Sequence, residues 1–283
     1  MRIQEPAAAA QTPTEGVIPM RYEVIVADPA KNITLLVLTP VENRAEAARL
    51  LMADPSLGAE QVGFVLPPAA PQGLWRLEMM GGEFCGNAAR SFGLWVARTL
   101  GYTGAAEIPI AISGMREPLM VRVNGETGTA EAAMPLPLAR ETLRFADRAL
   151  PAYVFEGITH IIAPGIPPEQ GLVYTIKEQV ERSLSRPQAL GVLFYDEDQS
   201  LMIPAVYVYA TDSLVFESSC GSGSAALGVW QEERRWEGEG LRRVLQPGGV
   251  IEVRVGKRQG ALGSLSIGGP VFLGERIVRE LPG

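Results

Sequence analysis

The sequence predicts an α/β protein built from two similar halves that face each other across a cleft. Three observations predict it. The 283 residues include only two cysteines, each in a glycine-rich turn: Glu83-Phe84-Cys85-Gly86-Asn87-Ala88-Ala89 and Glu217-Ser218-Ser219-Cys220-Gly221-Ser222-Gly223-Ser224. Gly93-Leu94-Trp95 follows Cys85 at the spacing at which Gly228-Val229-Trp230 follows Cys220. A run of strands, helix, strand, loop and strand leads into each cysteine turn, as an internal duplication would.

In the first half, Arg21 to Ala27 alternates and is rich in β-formers, so it reads as a strand. Asp28 to Asn32 is a turn and Ile33 to Leu38 a second strand. Asn43 is placed to cap a helix over Arg44 to Met52, which Asp54-Pro55 and Gly58 end. Gln61 to Leu66 and Leu74 to Met79 are strands on either side of a Pro-rich loop. The helix after Cys85 runs to about Thr99 and is apolar nearly all round, which suits burial on most sides. Short strands over Glu107–Ile112, Leu119–Val123 and Thr129–Met134 follow.

Pro135-Leu136-Pro137 marks a boundary, and the charged stretch Arg140 to Arg148 leads into the second half. There Val154 to Ile162 reads as a strand, Val173 to Leu184 as an amphipathic helix and Leu190 to Tyr195 as a strand. Leu201 to Ala210 and Ser213 to Phe216 approach Cys220, whose helix extends to about Trp236. Gln246-Pro247-Gly248-Gly249 is a tight turn before a strand over Val250–Val255. Strands near Ser264–Ile267 and Val271–Arg279 are able to return to the first half. The expected domains are therefore 21–137, completed by 270–283, and 138–269. Residues 1–20, rich in Ala, Pro and Thr without a basic start, read as a flexible leader rather than a signal peptide.

Composition narrows the function. A net charge of −7 with three scattered lysines argues against nucleic acid and anionic membrane surfaces as partners. No apolar stretch approaches a membrane span. Two cysteines without a secretion signal suit a reducing cytoplasm. One histidine, His160, and two distant cysteines do not make an ordinary structural zinc site. Dinucleotide and P-loop glycine patterns are missing, and no lysine has a pyridoxal phosphate setting, so no cofactor is expected.

The cysteine turns carry the chemistry. A thiol at a helix N-terminus is a poised acid-base group, because the dipole and the unpaired amides favour thiolate. The same amides bind anions, and Gly86 and Gly221 let a carboxylate approach the backbone. Two such turns converging on one carboxylate would put the α-carbon between two sulfurs, one taking a proton and the other giving one. That is cofactor-independent racemisation. A single buried cysteine is more often a small hydrophobe, and a Cys85–Cys220 disulfide or redox couple is also open. Filling a core gives no reason to repeat both cysteine and turn, so the duplication favours paired catalysis.

At these residues the chain resembles the diaminopimelate epimerase-like superfamily, which carries a cysteine-Gly-Asn turn in one domain and a cysteine-Gly-Ser/Thr-Gly turn in the other. Lys31-Asn32-Ile33-Thr34, Glu60-Gln61-Val62-Gly63-Phe64, the two cysteine turns and Gln246-Pro247-Gly248-Gly249 are most similar to the histidine racemases of staphylopine-type opine metallophore pathways. The resemblance implies an α+β fold of two pseudo-symmetric domains. Each would be a strongly curved, mostly antiparallel sheet around a central helix, with the site between them. It implies Cys85 and Cys220 as the catalytic pair, Gly86, Asn87, Gly221 and Ser222 on the substrate carboxylate, and Asn32, Glu60 and Glu217 lining the pocket. A small amino acid is the implied partner, and a homodimer is compatible with it.

The departures from diaminopimelate epimerases bear on substrate. Ala30-Lys31-Asn32-Ile33 replaces their Gly-Asn-Asp-Phe signature, and their Glu-Arg pair is not evident in Tyr209 to Ser213. A pocket without those groups leaves a distal zwitterion unpaired, which disfavours diaminopimelate. Ile158-Thr159-His160 stands where they carry Asn-Pro-His, and His160 reads as a satisfied structural residue. Glu83 reads as a helix-start acid complementing the dipole.

Overall fold

The computed structural model describes residues 20–70, 72–234 and 240–281. Most of the expected leader, and the expected helix end at Trp236, lie outside them. The fold is mixed α+β and dominated by sheet, with four helices among the described residues.

In the first part of the chain, β1 (Met20–Asp28) runs antiparallel to β2 (Thr34–Val37). Helix α1 (Arg44–Met52) then crosses to β3 (Gln61–Leu66), parallel to β2, and β4 (Arg76–Met79) is antiparallel to β3. Helix α2 (Gly86–Thr99) crosses to β5 (Ala105–Ile112), parallel to β4, and β6 (Leu119–Asn124) and β7 (Thr129–Ala133) complete a meander.

The second part repeats this order. A hairpin of β8 (Ala139–Phe145) and β9 (Arg148–Val154) precedes β10 (Ile158–Pro164), antiparallel to β9. Helix α3 (Gln170–Ser183) crosses to β11 (Ala189–Asp196), parallel to β10, followed by antiparallel β12 (Leu201–Val208) and β13 (Ser213–Phe216). Helix α4 (Gly221–Glu233) leads to β14 (Gly240–Gln246), parallel to β12, and a meander through β15 (Gly249–Arg258) and β16 (Ala261–Gly268). Last, β17 (Phe272–Leu281) returns antiparallel to β1, as β8 lies on β9. The two parts join where β16 pairs with β7, Ile267 opposite Ala132.

Three readings of the sequence need correction. The charged stretch Arg140 to Arg148 is most of a β-hairpin: Leu143 on one strand and Leu150 on the other are buried, while Arg140, Arg144 and Arg148 face water. The strand expected over Val154–Ile162 is two strands, split at a turn where Gly157 adopts φ +83°. Strand β14 was hidden by its Arg242-Arg243 pair, since only Val244 and Gln246 are buried in it.

Four helices serve two purposes. The outer pair is amphipathic: α1 buries Ala47, Ala48 and Leu51, and α3 buries Val173, Ile176 and Val180. Asn43 caps α1 through Oδ1, which accepts from the Glu46 amide at 3.2 Å. The inner pair is buried on nearly every side. Phe92, Leu94 and Val96 on α2 and Leu227 and Val229 on α4 lie in the two main cores. Each such side chain contributes about 1.5–3 kcal/mol.

The repeated Gly-Leu/Val-Trp spacing has a packing cause. A Cβ on Gly93 would lie 2.6 Å from Val121 Cβ on β6, and one on Gly228 would lie 2.5 Å from Val253 Cγ1 on β15. Both inner helices therefore press directly onto the equivalent strand of their own meander.

Candidate active site

Both cysteines are free thiols, and each is the N-cap of an inner helix in the same backbone conformation. Cys85 has φ −127° and ψ 116°; Cys220 has φ −126° and ψ 113°. In each helix the cysteine carbonyl takes the first helical bond, from Ala89 and Ser224, both at 2.9 Å. The amides of the intervening three residues point past the cap, as the start of any helix requires.

The two helix starts meet. A Cβ on Gly86 and a Cβ on Gly221 would each lie 2.8 Å from the same atom, Ile267 Cδ1. The two positions are thus within twice that distance of each other, and Gly221 also faces the Asn87 side chain at 3.6 Å. Ile267 reaches this point because β16 is the strand shared by both meanders.

Around Cys85 the side chains form one connected network. Asn32 donates to Glu60 Oε2 at 2.7 Å and accepts at Oδ1 from Gln61 (2.6 Å) and Asn87 (3.1 Å). Positive φ at Ala30 and Lys31 tightens the turn that presents Asn32. The Ala88 amide donates to Cys85 Sγ at 3.4 Å. Burial pushes the Cys85 thiol up; the Ala88 and Asn87 amides and the Gln61 amide group oppose this, while the Glu83 carboxylate adds to it.

Around Cys220, Gln246 Oε1 accepts from the Cys220 amide at 2.8 Å and its Nε2 donates to Ser224 Oγ at 2.9 Å. Ser222 Oγ stands 3.6 Å from Cys220 Sγ and 2.9 Å from His160 Nε2. Burial pushes the Cys220 thiol well up, and the adjacent Glu217 carboxylate pushes it further; the Gly223 amide and Ser222 pull the other way. Glu217 keeps some surface open to solvent, yet burial raises its carboxyl to about 7, reinforced by the Glu60 carboxylate.

All nine residues singled out from the sequence lie at this junction. Cys85, Gly86, Asn87, Asn32 and Glu60 come from one half; Cys220, Gly221, Ser222 and Glu217 come from the other. The turn after β14 also crosses between them, with Gly248 donating to the Ser218 carbonyl at 2.7 Å and packed against Ala30. The structure adds Gln61 and Gln246 to the site. Both stood inside stretches that had drawn attention, but glutamine carries no distinctive chemical signal. His160 is not the satisfied residue expected: it is fully buried, burial lowers it to about 3, and Nδ1 has no partner among the described residues.

Residues 22–276 match the family model described as the histidine racemase CntK N-terminal domain. A histidine racemase from Fusobacterium nucleatum subsp. nucleatum is 32% identical over 240 residues, covering 81% of this chain and 88% of that protein. One from Staphylococcus aureus is 29% identical over 239 residues, covering 80% and 85%. Among solved structures, a hydroxyproline epimerase from Agrobacterium vitis has a TM-score of 0.60 at 11% identity, covering 92% of this chain and 91% of that one. A probable proline racemase from Agrobacterium radiobacter K84 has a TM-score of 0.59 at 13% identity, covering 90% and 92%. These neighbours share the fold. With a match across most of its length and a curated relative above 30% identity, the chain belongs to the histidine racemase family, and it is an isomerase of the racemase kind.

Proposed function

We propose that this chain is a cofactor-independent amino acid racemase in which Cys85 and Cys220 act as the two acid-base groups, and that its substrate is histidine. The observation that carries the reading is the convergence of two cysteine-capped helix starts on Ile267. The amides of Gly86, Asn87, Gly221 and Ser222 would hold the substrate carboxylate and stabilise the charge that develops on it when the α-proton leaves. One thiolate takes that proton, and the other thiol delivers a proton to the opposite face. The two sulfurs end with their protonation states exchanged, so the reverse reaction starts from the product form. Glu60 and Glu217 would receive the substrate ammonium or its imidazole, and the Asn32 bond to Glu60 supports an orienting role for Asn32.

In this reading the halves are two domains, 21–137 with 270–283 and 138–269, each a curved sheet wrapped around α2 or α4, as in the diaminopimelate epimerase-like fold. Histidine follows from the family, and a D-histidine product would feed an opine-type metallophore pathway. The chemistry needs reduced thiols, which suits the cytoplasm.

The test is solvent deuterium exchange at Cα, followed by mass spectrometry across L-amino acids including histidine and diaminopimelate. Histidine should exchange and racemise, and Cys85→Ser or Cys220→Ser should abolish racemisation. Full racemisation by both single variants would sink the two-thiol reading, and exchange confined to another amino acid would reassign the substrate.

A further inference from the structure

Cys85 and Cys220 share one backbone conformation but are held in it differently. Cys85 caps its own helix, with Sγ accepting from the Ala88 amide. Cys220 makes no side-chain capping bond among the described residues, which leaves its sulfur out of the cap. Another side chain takes over. Gln246, at the end of β14 and 2% exposed, closes a ring of hydrogen bonds around Cys220. Its Oε1 accepts from the Cys220 amide at 2.8 Å, and its Nε2 donates to Ser224 Oγ at 2.9 Å. That hydroxyl in turn donates to the Cys220 carbonyl at 2.7 Å.

Each proton in this ring has one place. A backbone amide donates and a backbone carbonyl accepts, so the Ser224 proton points at the carbonyl and its lone pairs face Nε2. That leaves Oε1 for the Cys220 amide, and the glutamine sits one way round. Gln246 and Ser224 are both buried, so a bond lost here leaves a polar group with no water to replace its partner. The base of the clamp is fixed as well. Gly248, two residues on, donates to the Ser218 carbonyl at 2.7 Å, and a Cβ on it would stand 2.3 Å from the Ala30 carbonyl oxygen. The β14–β15 turn is thus tied to the chain just before Cys220 and wedged against the turn that presents Asn32.

We propose that Gln246 is the positioning residue of Cys220. It holds the amide of that one residue directly and its carbonyl through Ser224, which fixes the direction of the Cα–Cβ bond and with it the place of the sulfur. The proposal rests on the two-thiol reading for its catalytic meaning, but its test also reads the thiol itself.

Gln246→Met keeps the length of the side chain and makes neither bond. Circular dichroism checks the fold, and iodoacetamide labelling resolved by peptide mass spectrometry follows the two thiols of one sample separately. Cys220 should label roughly fivefold faster or more than in the parent, because a buried thiol reacts through local opening that the ring opposes. Cys85 should keep its rate. The kcat of racemisation should fall roughly tenfold or more with KM little changed, since the loss is one of alignment rather than of substrate contact. A Cys220 rate no faster than the parent's would overturn the proposal. So would an equal rise at both cysteines, which marks general loosening, or an unchanged kcat in the folded variant. Ser224→Ala keeps the bond to the Cys220 amide and opens the ring at its other end, so it should speed Cys220 by a smaller factor. If Gln246→Met does not fold, Ser224→Ala decides: a rise confined to Cys220 supports the clamp, and an unchanged rate refutes it. Full racemisation by both Cys85→Ser and Cys220→Ser would strike the two-thiol reading and leave the labelling answer on Gln246 standing.

Discussion

Gly86 and Gly221, 135 positions apart in a chain of 283, share one neighbour, the terminal methyl of Ile267, and neither has room beside it for a Cβ. The approach of the two helix starts is therefore limited by backbone and one methyl group rather than by two side chains. Neither glycine has a positive φ, so alanine suits the backbone at both, and any penalty comes from crowding.

Gly221→Ala should accordingly cost about 1–3 kcal/mol and sharply reduce racemisation. Ile267→Val, which withdraws the crowded methyl, should restore much of both in the double variant. Gly86→Ala should be rescued less, because its Cβ would also meet Met134 Sδ at 2.5 Å. Urea denaturation with a double-mutant cycle measures the coupling. Additive effects at Gly221 and Ile267 would show that the methyl is not what the alanine meets.

Glu217 supplies a pH test. Its carboxyl titrates at about 7 in the folded chain against an ordinary value of 4.5, so between those values the folded state holds a proton that the unfolded state has released. The Glu217 contribution to stability should fall as pH rises across that window and level off above it. Glu217→Gln removes the loss and should gain on the order of 1 kcal/mol relative to the parent between pH 5 and pH 7.5. A constant difference across the window, measured by urea denaturation, would place the carboxylate in a solvated setting instead.

Much of this was legible before any coordinates. Paired chemistry was visible because Cys85 and Cys220 are rare residues in matching turns, and β1 and α1 were visible because the alternation of Arg21 to Ala27 and the Asn43 cap are local signals. What sequence hid was long-range. Nothing local marks Ile267 as the contact point, since its position depends on β16 pairing with both β15 and β7. Arg90 is a charged residue in the apolar helix after Cys85 and proved fully buried, because its partners at Gly269 and Pro270 lie about 180 residues away. The β8–β9 hairpin was missed for a related reason: its charges face water on one side while Leu143 and Leu150 fill a core on the other.

His160 and Gly191 lie opposite each other in the parallel register of β10 and β11, and a Cβ on Gly191 would stand 2.1 Å from His160 Nδ1. Gly191→Ala must push the ring aside, breaking its 2.9 Å bond to Ser222 and loosening the hydroxyl beside Cys220. A loss of about 1–3 kcal/mol in stability and a lower kcat are expected. The ring itself is neutral in the fold, lowered to about 3 from an ordinary 6.5. The unfolded chain therefore binds the extra proton, and stability present above pH 6.5 is lost as pH falls towards 3, by up to about 1.4 kcal/mol per unit. Between pH 4.5 and 6.5 this slope opposes that of Glu217, so the two contributions partly offset each other in the parent protein. His160→Gln should leave only the Glu217 slope, and Glu217→Gln only the His160 slope. Parallel urea titrations of the two variants with the same sign of slope would mean that His160 is not held neutral behind Ser222.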